Sequence, residues 1–312
     1  MSSSELKLFI RKTADRLGFS HVGISPASKD PIKTQQLNMW LDNDYHATME
    51  WMESRAAERG NIHTYFPEVK SVISLSMNYF TGNVDHKNNI GKISNYAWGD
   101  DYHNIIKPRL YELLSSIQSK QIDTKGIVCI DTSPIMEKAW AQKGGLGWIG
   151  KHTNLITRDY GSWIFLGEIL LNIELEYDMP FVEDLCGSCT ACLDACPTQA
   201  FPEPYILDSS KCISYLTIEY RGDLPVNNDN TLSGWIYGCD ICQEVCPWNQ
   251  KFSKMSYENS FQPRLNFNER SLSDWGTLTE NEFKRLFKKS AIKRTKFSGL
   301  KRNIMTNLKI QN

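Results

Sequence analysis

Between Cys186 and Cys196 the chain reads CGSCTACLDAC, and a proline follows. Four thiols within eleven positions exclude most simple folds for this stretch, because cysteines spaced by two residues would compete for disulfide partners. The spacing C-x2-C-x2-C-x3-C-P instead matches the bacterial ferredoxin run, in which the fourth cysteine ligates the other of two 4Fe-4S clusters. A second set is therefore required. Cys212, Cys239, Cys242 and Cys246 supply it, the last again followed by proline in YGCDICQEVCPWN, with the first gap stretched by an insertion. Crossing the fourth ligands assigns Cys186, Cys189, Cys192 and Cys246 to one cluster. Cys212, Cys239, Cys242 and Cys196 then hold the other. The remaining cysteine, Cys129 in GIVCI, reads as a small buried hydrophobe.

A chain of 312 residues suits about two domains, and 41% hydrophobic with 23% charged residues is an ordinary globular composition. No apolar run approaches the ~20 residues of a membrane span, so no membrane partner is expected. The start, MSSSELKLFIRK, lacks the basic-then-apolar pattern of a signal peptide. With the thiolate ligands, this points to a reducing cytoplasm. Net charge is −1 but unevenly spread: residues 283–312 hold ten Lys/Arg and no Asp/Glu, leaving 25 basic against 36 acidic residues before them. A solvated helix face explains such a run, and so does a polyanionic partner such as nucleic acid.

Periodicity predicts a capped amphipathic helix over SSSELKLFIRKTADRLG, with Gly18 as its stop, and a strand at HVGIS. Helical pieces follow through QQLNMWLDN and ATMEWMESR. Further strands are expected at VKSVISLSMNYF, GIVCIDT and SWIFLGEILL, with helices from about Tyr102 to Lys120 and over SPIMEKAWAQK. The alternation argues for an α/β domain, within a fold class of α/β or α+β, over residues 1–180. A two-cluster ferredoxin-like module then spans 181–255, and a basic helical segment spans 256–312.

GLGWIGKH, Gly145 to His152, imitates a phosphate-binding loop, but His152 stands where a hydroxyl should be and the preceding segment reads as helix. Its glycines are better read as a tight turn or a close backbone approach. Two clusters alone make an electron carrier, and would not need 180 residues of α/β domain in front. Electrons are therefore expected to reach a second cofactor or substrate there. Asp131, ending an apolar strand in CIDTSP, could donate a proton as they arrive, or cap the next helix.

DTSPIMEKAWAQKGGLGWIGKHTNLI, the two cysteine sets, CISYLTIEYRG and YGCDICQEVCPWN together closely resemble the epoxyqueuosine reductase family. MEWMESRAAERGN and YAWGDDYH also fit its N-terminal half, so the likeness covers essentially the whole chain. It implies a cobalamin bound by an N-terminal domain related to corrinoid reductive dehalogenases, next to one of two 4Fe-4S clusters. The implied reaction reduces epoxyqueuosine to queuosine at the wobble base of tRNAs for Tyr, His, Asn and Asp. An external low-potential donor would supply electrons. Asp131 matches the proposed proton donor, and burial against the corrin is expected to raise its pKa. Arg59, Trp148, Ser214 and Asp240 are the further implied cofactor contacts, while neither His103 nor His152 is taken as a cobalt ligand. Many members continue into a HEAT-type repeat domain after a GLKRN-like stretch; this chain ends at GLKRNIMTNLKIQN, so the cluster module and basic segment are expected to grip tRNA. Two other classes remain open: a corrinoid reductive dehalogenase-like enzyme and a ferredoxin-type electron carrier.

Overall fold

Ser2 starts the first helix, Ser3–Arg16, by accepting a hydrogen bond from the Glu5 N–H while the Glu5 carboxylate accepts from the Ser2 N–H. Leu6, Ile10 and Ala14 recur at four-residue spacing and form its buried stripe. Gly18, at φ 84°, turns the chain out of it. The computed structural model describes residues 1–84, 87, 89–224 and 232–311. Its strands are β1 (His21–Pro26), β2 (Ser71–Asn78), β3 (Lys92–Ile93), β4 (Gly126–Cys129), β5 (Trp148–Ile149), β6 (Leu155–Ile156), β7 (Ile164–Leu171) and β8 (Trp235–Tyr237).

The main sheet has the order β1-β2-β7-β4, and every neighbouring pair is antiparallel. This corrects the expected α/β domain: the alternation of strands and helices is real, but the fold is of the α+β kind. The linker between β1 and β2, built around four helical pieces, returns the chain antiparallel instead of crossing over, which periodicity cannot register. Every residue of β2 is buried because both sheet faces are covered. Ile73, Leu75, Ile169 and Leu171 pack under the helices Ser3–Arg16 and His103–Lys120. Val72, Cys129 and Leu170 face the other way, onto Ile62, Phe66 and Trp140 of the second helical layer. Cys129 is thus the buried small side chain its context suggests.

A second core joins Val84, Ile93 and Trp98 to Leu216, Trp235 and Ile236 and to the C-terminal segment. Phe283, Phe287, Leu300 and Ile304 of that segment are buried in it, and Leu286 and Leu308 pack partly against it. The segment is helical, as expected, but not a separate tail. Thr295 and Asn303 donate to the Thr217 carbonyl at 2.9 Å each, Arg302 Nη2 donates to the Leu216 carbonyl at 2.8 Å, and Asn307 caps Trp235. The first three bonds satisfy carbonyls at the end of the short helix Ile213–Ile218, which starts from Cys212. Arg302, part of the positive charge read as a possible polyanion surface, therefore braces the helix that follows Cys212.

Candidate active site and cluster pockets

Cys186, Cys189, Cys192 and Cys246 line one cavity of about 160 Å³, with Leu185 and Trp248 among its walls. Lys151, the lysine of the false phosphate loop, is buried and donates to the carbonyls of Gly187 (2.6 Å) and Cys189 (2.9 Å), fixing the cysteine loop. The glycines of that loop serve a tight approach: a Cβ on Gly147 would stand 2.0 Å from the Ile156 carbonyl oxygen across the β5–β6 hairpin. His152 is buried and held neutral, its pKa lowered by burial to about 4.

Around the second set, Cys212, Cys239 and Cys242 are each partly buried and feel one another, and Cys212 and Cys242 also feel Cys196. Backbone N–H groups of Ser214 and Tyr215 point at Cys212, those of Trp248 and Asn249 at Cys246, and that of Ala200 lies 3.3 Å from the Cys196 sulfur. Charge-assisted N–H···S bonds of this kind favour thiolate over thiol. Buried thiolates this close repel one another unless a cationic iron core lies between them, so the donor set fits iron–sulfur clusters.

Between the sheet and this second set lies a cavity of about 140 Å³, lined by Tyr79, Tyr96, Lys138, Asn154, Ser162 and Gln243 among others. Lys138 is solvent-exposed at the cavity rim, yet lost hydration lowers its pKa, and the nearby charges of Glu137, Cys242, Asp131 and Cys212 act against that shift. Its Nζ is anchored to the Thr153 carbonyl and Asn154 Oδ1 at 2.9 and 3.0 Å.

Asp131 stands one residue beyond Ile130 at the end of β4, at φ 38°. A non-glycine residue in that region marks a position set by its surroundings, and such outliers gather at functional sites. It is not a helix cap. The next helix begins only at Glu137, with Met136 at the cap position, later than the pattern of SPIMEKAWAQK suggests. The Asp131 N–H instead donates to the Glu137 carboxylate in a very short hydrogen bond. His103 Nε2 faces Asp131 Oδ2 at 3.3 Å, and His103 Nδ1 lies 2.8 Å from Asp101 Oδ1. Tyr102 stacks on the His103 ring at 4.1 Å, and its hydroxyl reaches the Asp131 carboxylate. Arg59 is buried beside Asp131 and Glu137, and its Nη1 has no hydrogen-bond partner among the described residues.

In the chain itself, the surroundings of Asp131 act against the rise that burial against a corrin would cause. Burial pushes the Asp131 carboxyl up, but the hydrogen bond and charge of His103, with Tyr102 and Arg294, outweigh it and hold the pKa below the usual carboxylate range. The raised acid is Glu137, pushed up to about 8 by burial and by the Asp131 charge. Burial also opposes charge on His103, yet its bonds to Asp101 and Asp131 lift it to about 9.

Of the other expected cofactor contacts, Arg59 joins the Asp131 group. Trp148 stands elsewhere, stacked on Phe181 at 5.5 Å and edge-on to Trp248 at 4.8 Å, in the apolar cluster that holds Cys246. Asp240 accepts hydrogen bonds on both carboxylate oxygens, from Ser94 Oγ and from the Asn95 N–H, and so clamps the end of β3 to the cluster module. Ser214 offers its N–H to Cys212. Sequence reasoning misses His103 and Asp101 as members of this group, although both lie in WGDDYH, because their partner Asp131 is 28 residues away.

Residues 185–249 match the family described as a 4Fe-4S double cluster binding domain. Residues 59–132, from Arg59 to just past Asp131, match the family described as epoxyqueuosine reductase QueG, DUF1730. An epoxyqueuosine reductase of Cellulophaga algicola is 44% identical over 295 residues, covering 95% of this chain and 95% of the relative. The chain belongs to the epoxyqueuosine reductase family. It is an oxidoreductase of tRNA modification, which sets aside the dehalogenase and simple-carrier alternatives. The crystal structure of an epoxyqueuosine reductase with an epoxyqueuosine-modified tRNA-Tyr stem loop superimposes with a TM-score of 0.88 at 28% identity, covering 98% of this chain and 82% of that one. A Bacillus subtilis epoxyqueuosine reductase, with a catalytic aspartate loop swung out of its active site, gives a TM-score of 0.86 at 27% identity and the same coverage. Among the described residues no helix is long and apolar enough to cross a membrane.

Proposed function

We propose that this chain reduces epoxyqueuosine to queuosine in the wobble position of tRNA, with Asp131 delivering the proton to the departing epoxide oxygen. One observation carries the assignment. Asp131 is held in a left-handed backbone conformation, with its side chain exposed and ringed by His103, Tyr102, Glu137 and Arg59. In the Bacillus subtilis relative a catalytic aspartate loop swings out of the active site, which supports giving the same role to the Asp131 loop. When bound, a reduced cobalamin supplies a nucleophile for carbon, and the 4Fe-4S clusters supply its electrons one at a time. The unpartnered Nη1 of Arg59 and the open cleft fit a ligand whose rim carries polar amides. Lys138 closes the cleft towards Cys242 and Cys212, so the second cysteine set stands on the cofactor side. The exposed Cys189 puts the first set on the side where a donor can approach.

The deciding experiment is conversion of epoxyqueuosine-containing tRNA by protein reconstituted with cobalamin and iron, read by nucleoside analysis. Appearance of queuosine is the expected result, and its absence from fully loaded, reduced protein overturns the assignment. Binding of the tRNA to the basic segment is a separate expectation. The structure narrows it, since Lys293 pairs with Asp101 at 3.1 Å and Arg294 makes a forked pair with Glu219 at 3.0 and 2.9 Å. Lys288 and Lys289 remain exposed. Changing both to Glu should weaken tRNA binding at low salt and flatten the slope of log K against log salt by roughly one for each phosphate no longer neutralised. An unchanged slope moves the anion site to another face.

A further inference from the structure

Behind Asp131 runs a chain of contacts that the reduction, as proposed, leaves without a purpose. Lys293 Nζ lies 3.1 Å from Asp101 Oδ2. Asp101 Oδ1 meets His103 Nδ1 at 2.8 Å and also accepts the His103 backbone N–H at 3.2 Å. His103 Nε2 is then aimed at Asp131 Oδ2, 3.3 Å away, and has no full hydrogen bond among the described residues. Tyr102 stacks on one face of the ring and is itself stacked on Phe165 at 4.3 Å, which fixes the ring plane. A carboxylate on one imidazole nitrogen sets the tautomer, leaving the other nitrogen to exchange a proton.

We propose that His103, oriented by Asp101, is the proton source that reloads Asp131 during turnover. The proposal rests on the reduction proposed above. Converting an epoxide to an alkene takes two electrons and two protons and releases water. The electrons come from the reduced cobalamin and clusters of that reading, and only the protons concern His103. As the carbon–oxygen bond opens, the Nε2 proton of His103 passes to Asp131 Oδ2 and the Asp131 carboxyl passes a proton on to the oxygen, so Asp131 ends as the carboxylate it began as; a second passage, after His103 is recharged, turns the hydroxyl into the departing water. His103 becomes neutral while Asp101 stays ionised. Nε2 is shielded from solvent whereas the Asp131 side chain is 57% accessible, so His103 regains its proton through Asp131. The 3.3 Å separation must shorten during transfer, as catalytic hydrogen bonds commonly do when ligand binds.

The charged surroundings favour this division of labour. Asp101 and Asp131 face the imidazole directly, and Glu137 stands behind Asp131. Lys293 lies behind Asp101, and Arg59 and Arg294 lie beside Asp131. Together they keep the shared proton on His103 and Asp131 as its acceptor, with His103 charged up to about pH 9. Asp131 alone, in the carboxylate range, would be protonated in a negligible fraction of molecules at neutral pH.

Two measurements test this, with folding of each variant checked by iron content and thermal unfolding. In cofactor-free protein, NMR titration of the His103 ring should give a pKa well above the ordinary 6.5, falling by about one to three units in Asp131→Asn and in Asp101→Asn. An ordinary pKa in the wild type overturns the proposal. In single-turnover conversion of the modified tRNA, His103→Gln should lose ~10²-fold at about pH 8 and move the alkaline limb of the pH profile towards the carboxylate range. An unchanged limb, with a normal wild type, removes the relay alone. A wild type that does not convert the tRNA removes the reduction and the relay with it.

Discussion

Replacing Cys196 with alanine should destroy the cluster of Cys212, Cys239 and Cys242, and leave intact the cluster of its sequence neighbours. Cys196 lies in one run with Cys186, Cys189 and Cys192, so a purely local reading expects the opposite. The fold separates it from them. Cys246, not Cys196, completes the cavity of Cys186, Cys189 and Cys192 and shares an apolar cluster with Cys186. Cys196 instead lies close enough to Cys212 and Cys242 to disfavour their ionisation. About half of the iron and acid-labile sulfide should disappear from Cys196→Ala. Turnover should disappear as well, because the lost cluster is the one next to Lys138 and the cleft. Electron paramagnetic resonance of the reduced protein should retain one 4Fe-4S signal, and Cys246→Ala should retain the other. Loss of the same signal in both variants would refute the crossed assignment.

The crossed assignment can be proposed from the sequence because iron–sulfur ligation writes itself into short spacings: thiolates around one small core must come from nearby turns, and the exchanged fourth ligand is part of the repeat. Strand and helix positions were legible for the same reason, since periodicity is local. Pairing was not. Ser71 sits opposite Leu171 and Gly126 opposite the same residue, and nothing in either segment announces an antiparallel partner so far along the chain. The basic segment shows a related limit. A run of Lys and Arg displays its charge in the sequence, but not that Arg294 is held by Glu219 or Lys293 by Asp101. Trp148 sits in a glycine-rich turn, and nothing local in that turn announces that it packs with Cys246 in one apolar cluster. Asp131 stands out by resemblance and by its place at a strand end, while its electrostatic environment does not. The sequence suggests burial, which raises a carboxyl pKa, whereas the fold adds His103, whose positive charge lowers it.

Asp131→Asn should therefore keep both clusters and the fold and lose most of the turnover. Asparagine matches aspartate in volume and is among the few residues that tolerate a left-handed backbone, so φ 38° is retained without new strain. The hydrogen bonds and ion pairs of Asp131 run to His103, Tyr102 and Glu137, not to the cluster cysteines, so iron content should stay at the wild-type level. What the amide lacks is the transferable proton. General acid catalysis typically contributes ~10²–10⁴-fold, and the loss should appear in the single-turnover rate while tRNA affinity changes little. The variant also removes the carboxylate that holds up the His103 pKa, so the imidazole should become easier to deprotonate. An alanine at the same place would confuse matters, since it removes the short polar side chain that eases a left-handed backbone as well as the acid. Comparing the two separates chemistry from backbone. If Asp131→Asn reduced the modified tRNA at the wild-type rate, the proton would have to come from another group facing the cleft. Glu137, with its pKa pushed up to about 8, would then be the first to replace.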